Sequence, residues 1–215
     1  MNKQKTLKRK YDSSRRQAQA RATKIQIAEA ARSLFFERGY AGATIEEIAR
    51  EAGVSKESVY AIFGNKQSIL AFLLDVAVGG QDLPLPVIEQ PAAQAILQDQ
   101  DQRRQVDRIA QVCGEVLSRA APVFAMVQAA ASTEPEIQKR IRRLHKDRLE
   151  NMTSFFRRVA ADSPLQEGID EKSAGEIIWA LASPELFNLL TTELEWSTEK
   201  YTDWLANILS RVLLP

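Results

Sequence analysis

The sequence predicts an all-α protein, and three observations carry that prediction. Apolar residues recur every three or four positions from Thr23 to the last residues, the period of an amphipathic helix. The capping residues Thr44, Ser55 and Asn65 stand directly before three of these runs. Beyond the glycine- and proline-containing stretch 79–91 there is no strand signal, and that stretch reads as a loop dividing the chain in two.

The first helix starts at Thr23. Ile27, Ala28, Ala31, Leu34 and Phe35 form its inward stripe, Arg32 and Arg38 face outward, and Gly39 closes it. The rest of the chain is organised around the next stretch, residues 44–63. Thr44 with Glu47 three residues on is a capping box, hydroxyl and carboxylate each satisfying a backbone N–H at a helix start. Ile45, Ile48, Ala49 and Ala52 give that helix one apolar face, and Gly53 ends it where positive φ is needed. Ser55 is a second N-cap, and a short helix from Lys56 carries Val59, Ile62 and Phe63 inward. Two short helices joined by a glycine turn, the second with a polar outer face, make a helix-turn-helix.

Asn65 caps a fourth helix that carries Ile69, Leu70, Phe72, Leu73, Val76 and Ala77. Its first turn holds Lys66 and no acid, against the preference set by the helix dipole. Such a lysine suits an anion bound at the helix start, or else an exposed position where it costs little. Beyond the loop, a helix over 103–119 places Val106, Ile109, Ala110, Cys113, Val116 and Leu117 inward. Pro122 kinks or ends it, and residues 124–131 continue as an apolar helix. Pro135 opens a long helix reaching about residue 161. Two more complete the chain, over 170–196 with a bend near Pro184, and over 198–214.

At 215 residues, 45% hydrophobic and 27% charged, the chain has an ordinary soluble composition and room for one or two domains. No apolar run approaches the ~20 residues that cross a bilayer. The basic amino terminus lacks the apolar stretch of a signal peptide, and the lone Cys113 forbids an internal disulfide. These features together predict a cytoplasmic protein. The net charge of +1 hides an asymmetry: residues 1–75 hold 14 Lys/Arg against 8 Asp/Glu, and the remainder is acidic. A basic front suits a polyanion. Residues 1–20 carry Lys3, Lys5, Lys8, Arg9, Lys10, Arg15 and Arg16 with Asp12 as the only acid. They are expected to be flexible, either an arm that neutralises phosphates or a solubilising tail.

The segment from about Arg21 to Gly80 resembles the DNA-binding domain of the tetracycline-repressor (TetR/AcrR) family of transcriptional regulators. The resemblance runs through Ala30-Ala31, Leu34-Phe35, Glu37-Arg38-Gly39-Tyr40, Thr44, Ile48-Ala49, Ala52-Gly53-Val54-Ser55, Val59-Tyr60, Phe63 and Lys66. It implies a three-helix DNA-binding domain over 21–80, after a basic arm over 1–20 and before a helical ligand-binding and dimerisation domain over 81–215. The partners implied are double-stranded operator DNA, a small-molecule effector and a second copy of the chain, with no cofactor and no membrane.

DNA contacts are expected at Thr44, Ser55, Lys56, Glu57, Ser58, Tyr60, Ala61 and Lys66. By resemblance Ser58 and Tyr60 meet the backbone, Lys56, Glu57 and Ala61 lie nearest the bases, and Lys66 meets a phosphate; Tyr60 as a packing residue is the competing role. Ala61 and Ile62 depart from the longer polar side chain and the His or Tyr that many relatives carry, so direct readout is sparse and DNA shape or the arm adds specificity. The last two helices form a two-fold four-helix bundle in the family, which implies an interface at Phe187, Leu190, Trp204, Leu205, Ile208, Leu209 and Val212. Core packing claims part of this apolar set, Trp179 included. The implied effector pocket falls to Phe124, Met126, Gln128, Met152, Phe155 and Trp179, residue types that also build ordinary cores.

His145, the only histidine, stands in a basic stretch and is expected to be exposed. One His and one Cys far apart give no metal site. The chain has no phosphate-binding glycine loop, no Gly-x-Ser-x-Gly elbow and no Cys/His nucleophile pair, so it is not expected to be an enzyme. The expected function is a ligand-released repressor acting as a homodimer on a palindromic operator. The alternatives are a transcriptional activator of the same fold, or a ligand-binding or scaffold protein with a vestigial DNA-binding front.

Overall fold

A computed structural model describes residues 13–80, 89–159 and 164–215, and every regular element among them is helical. Helix α1 spans Ser13–Gly42, broken at Gly39, whose φ of 71° lies outside helical space. It starts well before Thr23. The residues between are rich in Arg, Gln and Ala and contain no Gly or Pro, so propensity carries the helix outward. Residues 15–20 are exposed and bury nothing. Residues 13–20 of the expected flexible arm are therefore helical, and residues 1–12 lie outside the described residues.

Helices α2 (Ile45–Glu51), α3 (Lys56–Phe63) and α4 (Lys66–Gly79) form as expected, and Gly80 caps α4 in the left-handed region. The sequence missed α5, Pro91–Gln98. Pro91 reads as a breaker, yet it occupies the first turn of a helix, where its missing N–H costs nothing. Helix α6 is one continuous element, Gln102–Ala131, with Pro122 inside it. Helix α7 spans Pro135–Val159, α8 spans Glu171–Leu181 and α9 spans Pro184–Asn188. A π turn over Leu189–Glu193 leads to α10, Thr198–Leu213. Helix α8 packs closely on α7 at Gly175, where an added Cβ would lie 2.8 Å from Thr153 Cα.

The described residues form two apolar cores, and their boundary is not the loop. Ile27, Phe35, Ile48, Val59, Ile69 and Leu70 from α1–α4 share one core with Val123, Phe124, Met126 and Val127 of α6 and with Ile137 and Ile141 of α7. The other core gathers Ile96, Val106, Ile109, Leu117, Phe156, Ile178, Phe187, Tyr201, Leu205 and Leu209. Helix α6 therefore passes from one core to the other at Pro122. Proline removes the donor that would reach the Ser118 carbonyl, but packing on both sides keeps the helix intact. Asn188 Nδ2 reaches across from α9 to the Ala121 carbonyl at 3.0 Å.

Candidate nucleic-acid interface

The helix-turn-helix is built by its caps. Thr44 Oγ1 accepts from Glu47 N at 3.2 Å, and Glu47 Oε2 accepts from Thr44 N at 3.0 Å, closing the capping box. Glu47 Oε1 also takes a 2.6 Å bond from Arg38 Nη1, which ties the end of α1 to the start of α2. Gly53 at φ 63° turns the chain, and Val54 N returns to the Ala49 carbonyl at 2.9 Å. Ser55 Oγ accepts from Ser58 N at 3.1 Å and starts α3. Val59 and Phe63 are buried, which turns Glu57, Tyr60 and Ala61 outward. Tyr60 is 46% exposed, an apolar ring left open at the centre of the recognition face.

Thr44 and Ser55 are exposed, with their hydroxyls committed to caps; Ser58 is half-buried against Ser55 Oγ at 2.9 Å. The Lys56 ammonium bonds Glu46 across to α2 and lies 5.8 Å from the Tyr60 ring. That bond lowers the Glu46 carboxyl and raises the Lys56 ammonium from their ordinary values. A nucleic acid would have to exchange this pair for its own contacts.

Lys66 requires a correction. It does not point outward from the start of α4. Its Nζ donates to the Tyr40 carbonyl at 2.7 Å and the Ala43 carbonyl at 2.9 Å, and stands 4.3 Å from the centre of the Tyr40 ring. The carbonyls left open after Gly39 breaks α1 attract the cation more closely than solvent does. Partial burial pushes its pKa down, and Tyr40 beside it is pushed up to about 12, chiefly by burial. Lys66 therefore leaves the set of contact candidates.

The charge is also not where the reading helix is. Residues 44–63 carry Glu46, Glu47, Glu51 and Glu57 against Arg50 and Lys56, a net acidic segment. The positive balance of the front half rests on the α1 extension, with Arg15, Arg16 and Arg21 all exposed, and on the residues before it. Phosphate neutralisation would come from there.

In the back half the expected pocket residues do not converge. Phe124, Gln128 and Trp179 gather around His145 and Glu185. The Phe124 and His145 rings lie parallel at 5.5 Å, Trp179 meets His145 edge-on at 5.7 Å, and Gln128 Nε2 donates to Glu185 Oε1 at 2.9 Å. Met126 is buried in the core shared with α1–α4, whereas Met152 and Phe155 pack on the other core. His145 is not the exposed residue expected. Trp179 and Phe124 enclose its ring, and its Nε2 is buried without a hydrogen-bond partner, 3.6 Å from Glu185 Oε1. A surface groove between α7 and α8, lined by Leu149, Thr153, Arg157, Lys172 and Glu176, contains none of the expected pocket residues.

The expected interface divides by burial. Phe187, Leu205 and Leu209 are corrected to core residues, at 4%, 0% and 0% exposure. Leu190, Trp204, Ile208 and Val212 remain half-exposed, the last three at four-residue spacing along one face of α10. Leu189 and Leu194, at the two ends of the π turn, are exposed and absent from the expected set. Burial is the signal that separates the two stripes, and period alone cannot supply it because both repeat every four residues. Among the described residues no cluster of three metal-ligating side chains is present, and no single helix is long and apolar enough to cross a membrane.

A capped, glycine-turned helix pair presenting Glu57, Tyr60 and Ala61 on its open face defines a helix-turn-helix protein. Residues 27–72 match the model of the bacterial regulatory proteins of the tetR family. Over 66 residues the chain is 41% identical to the HTH-type transcriptional repressor SCO4008 of Streptomyces coelicolor, a match covering 31% of this chain and 34% of the relative. It is likewise 41% identical over 61 residues to the HTH-type transcriptional regulator TtgR of Pseudomonas putida, covering 28% of this chain and 29% of that one. The chain thus aligns with only about a third of these relatives' length. In fold the likeness is longer. NalD of Pseudomonas aeruginosa, described as the secondary repressor of a multidrug efflux pump, aligns at TM-score 0.66 and 20% identity over 91% of this chain and 98% of its own. FadR of Bacillus subtilis, solved with stearoyl-CoA, aligns at TM-score 0.65 and 21% identity over 86% and 96%.

Proposed function

We propose that the protein is a DNA-binding transcriptional regulator, a repressor released by a small molecule, and not an enzyme. The observation that carries this reading is the helix-turn-helix itself: α3 is fixed by caps and by buried Val59 and Phe63, with Ser55, Lys56, Glu57, Ser58, Tyr60 and Ala61 along its open side. A major groove admits one such helix. The acidic segment around α3 implies that affinity comes from the basic amino terminus, and that α3 contributes selectivity. The half-exposed stripe Leu190, Trp204, Ile208 and Val212 supports a homodimer, which a palindromic operator would require. A cytoplasmic setting fits both partners.

The aromatic group Phe124, Trp179 and His145, bordered by Gln128 and Glu185, supports an effector that is largely apolar with one polar group. The relatives solved with stearoyl-CoA or described as regulating drug efflux are consistent with that chemistry. The deciding experiment is anisotropy binding to DNA flanking the protein's own gene, repeated across a salt series. Tight, salt-steep binding that saturates at two chains per palindrome supports the reading. Binding indifferent to sequence, there and in a genome-wide selection, overturns it.

A further inference from the structure

Two polar pairs join α4 to the corner between α6 and α7. Gln67 Nε2 donates to Glu134 Oε2 at 3.0 Å, at the first turn of α4. Two turns further on, Arg140 Nη2 reaches both carboxylate oxygens of Asp75 at 3.3 Å. Eight residues of helix separate the two points, about 12 Å. A third bond, Arg119 Nε to the Ala77 carbonyl at 3.4 Å, lies near the far end of α4. Helix α4 also carries the helix-turn-helix: Phe63 at the end of α3 packs on Phe72 with ring centroids 5.6 Å apart, and Lys24 of α1 sits 4.4 Å from the Phe72 ring.

The Asp75–Arg140 pair is poorly placed to stabilise the fold. Asp75 and Arg140 are 43% and 45% exposed, and exposed ion pairs contribute little. Burial raises the Asp75 carboxyl above its ordinary value although Arg140 and Lys24 both act to lower it. A pair that adds little stability can still fix an angle between two helices. The geometry it supplies is specific. The apolar contacts of α4 with α6 carry no directional bond of their own, whereas two directional bonds set about 12 Å apart along one helix oppose its rotation as well as its sliding.

We propose that Gln67–Glu134 and Asp75–Arg140 form a two-point rail that sets the angle at which α3 is presented to DNA. In a dimer that angle fixes the spacing between the two half-sites accepted. The spacing consequence rests on the regulator reading above; the rail does not, and the two can be tested apart.

The test uses the full chain and the double variant Asp75→Ala/Glu134→Ala. Nitroxide labels at Ala61→Cys on α3 and Lys146→Cys on α7, in labelled chain diluted with unlabelled, report the intramolecular distance by electron–electron resonance without DNA. The double variant is expected to broaden this distribution about twofold at a temperature where both chains are fully folded by circular dichroism, because rotation of α4 against the α6–α7 corner is then no longer opposed by a polar bond at either point. Gln67→Glu combined with Glu134→Gln, which restores the bond with its partners exchanged, is expected to keep it narrow. In a selection from inverted repeats of varied spacing, the unaltered chain is expected to take one spacing and the double variant several. Equal distance widths overturn the rail, whatever the DNA result. Broadened distances with one unchanged spacing overturn its role in spacing. If the unaltered chain selects no DNA, the regulator reading fails, and the distance measurement still decides the rail.

Discussion

Replacing Lys66 separates two roles that the sequence leaves open. In Lys66→Met the apolar stem stays and the ammonium goes, so the Tyr40 and Ala43 carbonyls each lose a bond, now 2.7 and 2.9 Å long. A hydrogen bond to a charged group contributes about 1.5–3 kcal/mol. Water reaches part of this site, and desolvation already lowers the lysine's pKa, so the net loss for the two bonds together is about 1–2 kcal/mol. For a chain of this size that corresponds to a fall in Tm of roughly 2–8 °C. The salt dependence of DNA binding should not change. A phosphate contact would give the opposite pattern, a salt slope flatter by about one unit with Tm unmoved. Calorimetry and an anisotropy salt series on the same preparation decide the matter. A flattened slope at constant Tm would refute the carbonyl-bound role.

The other predictions address caps, close packing, the apolar face of α10 and pH. Thr44→Ala removes half of the capping box and should destabilise by about 1 kcal/mol in urea unfolding. Gly175→Ala forces α8 away from Thr153 and should lose about 1–2 kcal/mol net, overpacking exceeding the gain in helix propensity; a stabilised variant would show that the two helices separate easily. Ile208→Asp should weaken self-association about tenfold or more in sedimentation while the chain stays folded, whereas Leu209→Asp, on the buried side, should unfold it. Burial raises the tyrosine hydroxyls of Tyr40 and Tyr201 above their ordinary values, Tyr40 to about 12. Tyrosines in the unfolded chain ionise near pH ~10. The stabilisation linked to these protons is therefore complete below that pH and lost as pH rises toward about 12. Urea unfolding at about pH 9 and 11 should show this loss, reduced in Tyr40→Phe.

Local rules that act within a few residues are readable without a structure. The Thr44–Glu47 box, the Gly53 turn and the Ser55 cap each follow from residue type at fixed spacing, and all three form. What the sequence hides depends on distant partners. Lys66 looks outward until the carbonyls of Tyr40 and Ala43, more than twenty residues earlier, are brought beside it. His145 looks solvated among basic neighbours until Phe124 and Trp179 close over its ring. Along α10, residues 201, 205, 209 and 213 repeat with the same period as 204, 208 and 212, and only the tertiary arrangement assigns the first set to the core. Helix α5 escaped because Pro91 looks alike in a loop and at a helix start.

The passage of α6 from one core to the other makes the reading head thermodynamically dependent on the back half of the chain. A fragment ending at Gly80 would leave Ile69, Leu70, Leu73 and Leu74 without Val123, Met126, Val127 and Ile137 to cover them. The helix-turn-helix is thus not a portable module that could be joined to an arbitrary sensing body. Any exchange of parts between such proteins would have to carry the far half of α6 and the start of α7 along with it, and substitutions there would be felt at the helix-turn-helix although they lie outside it.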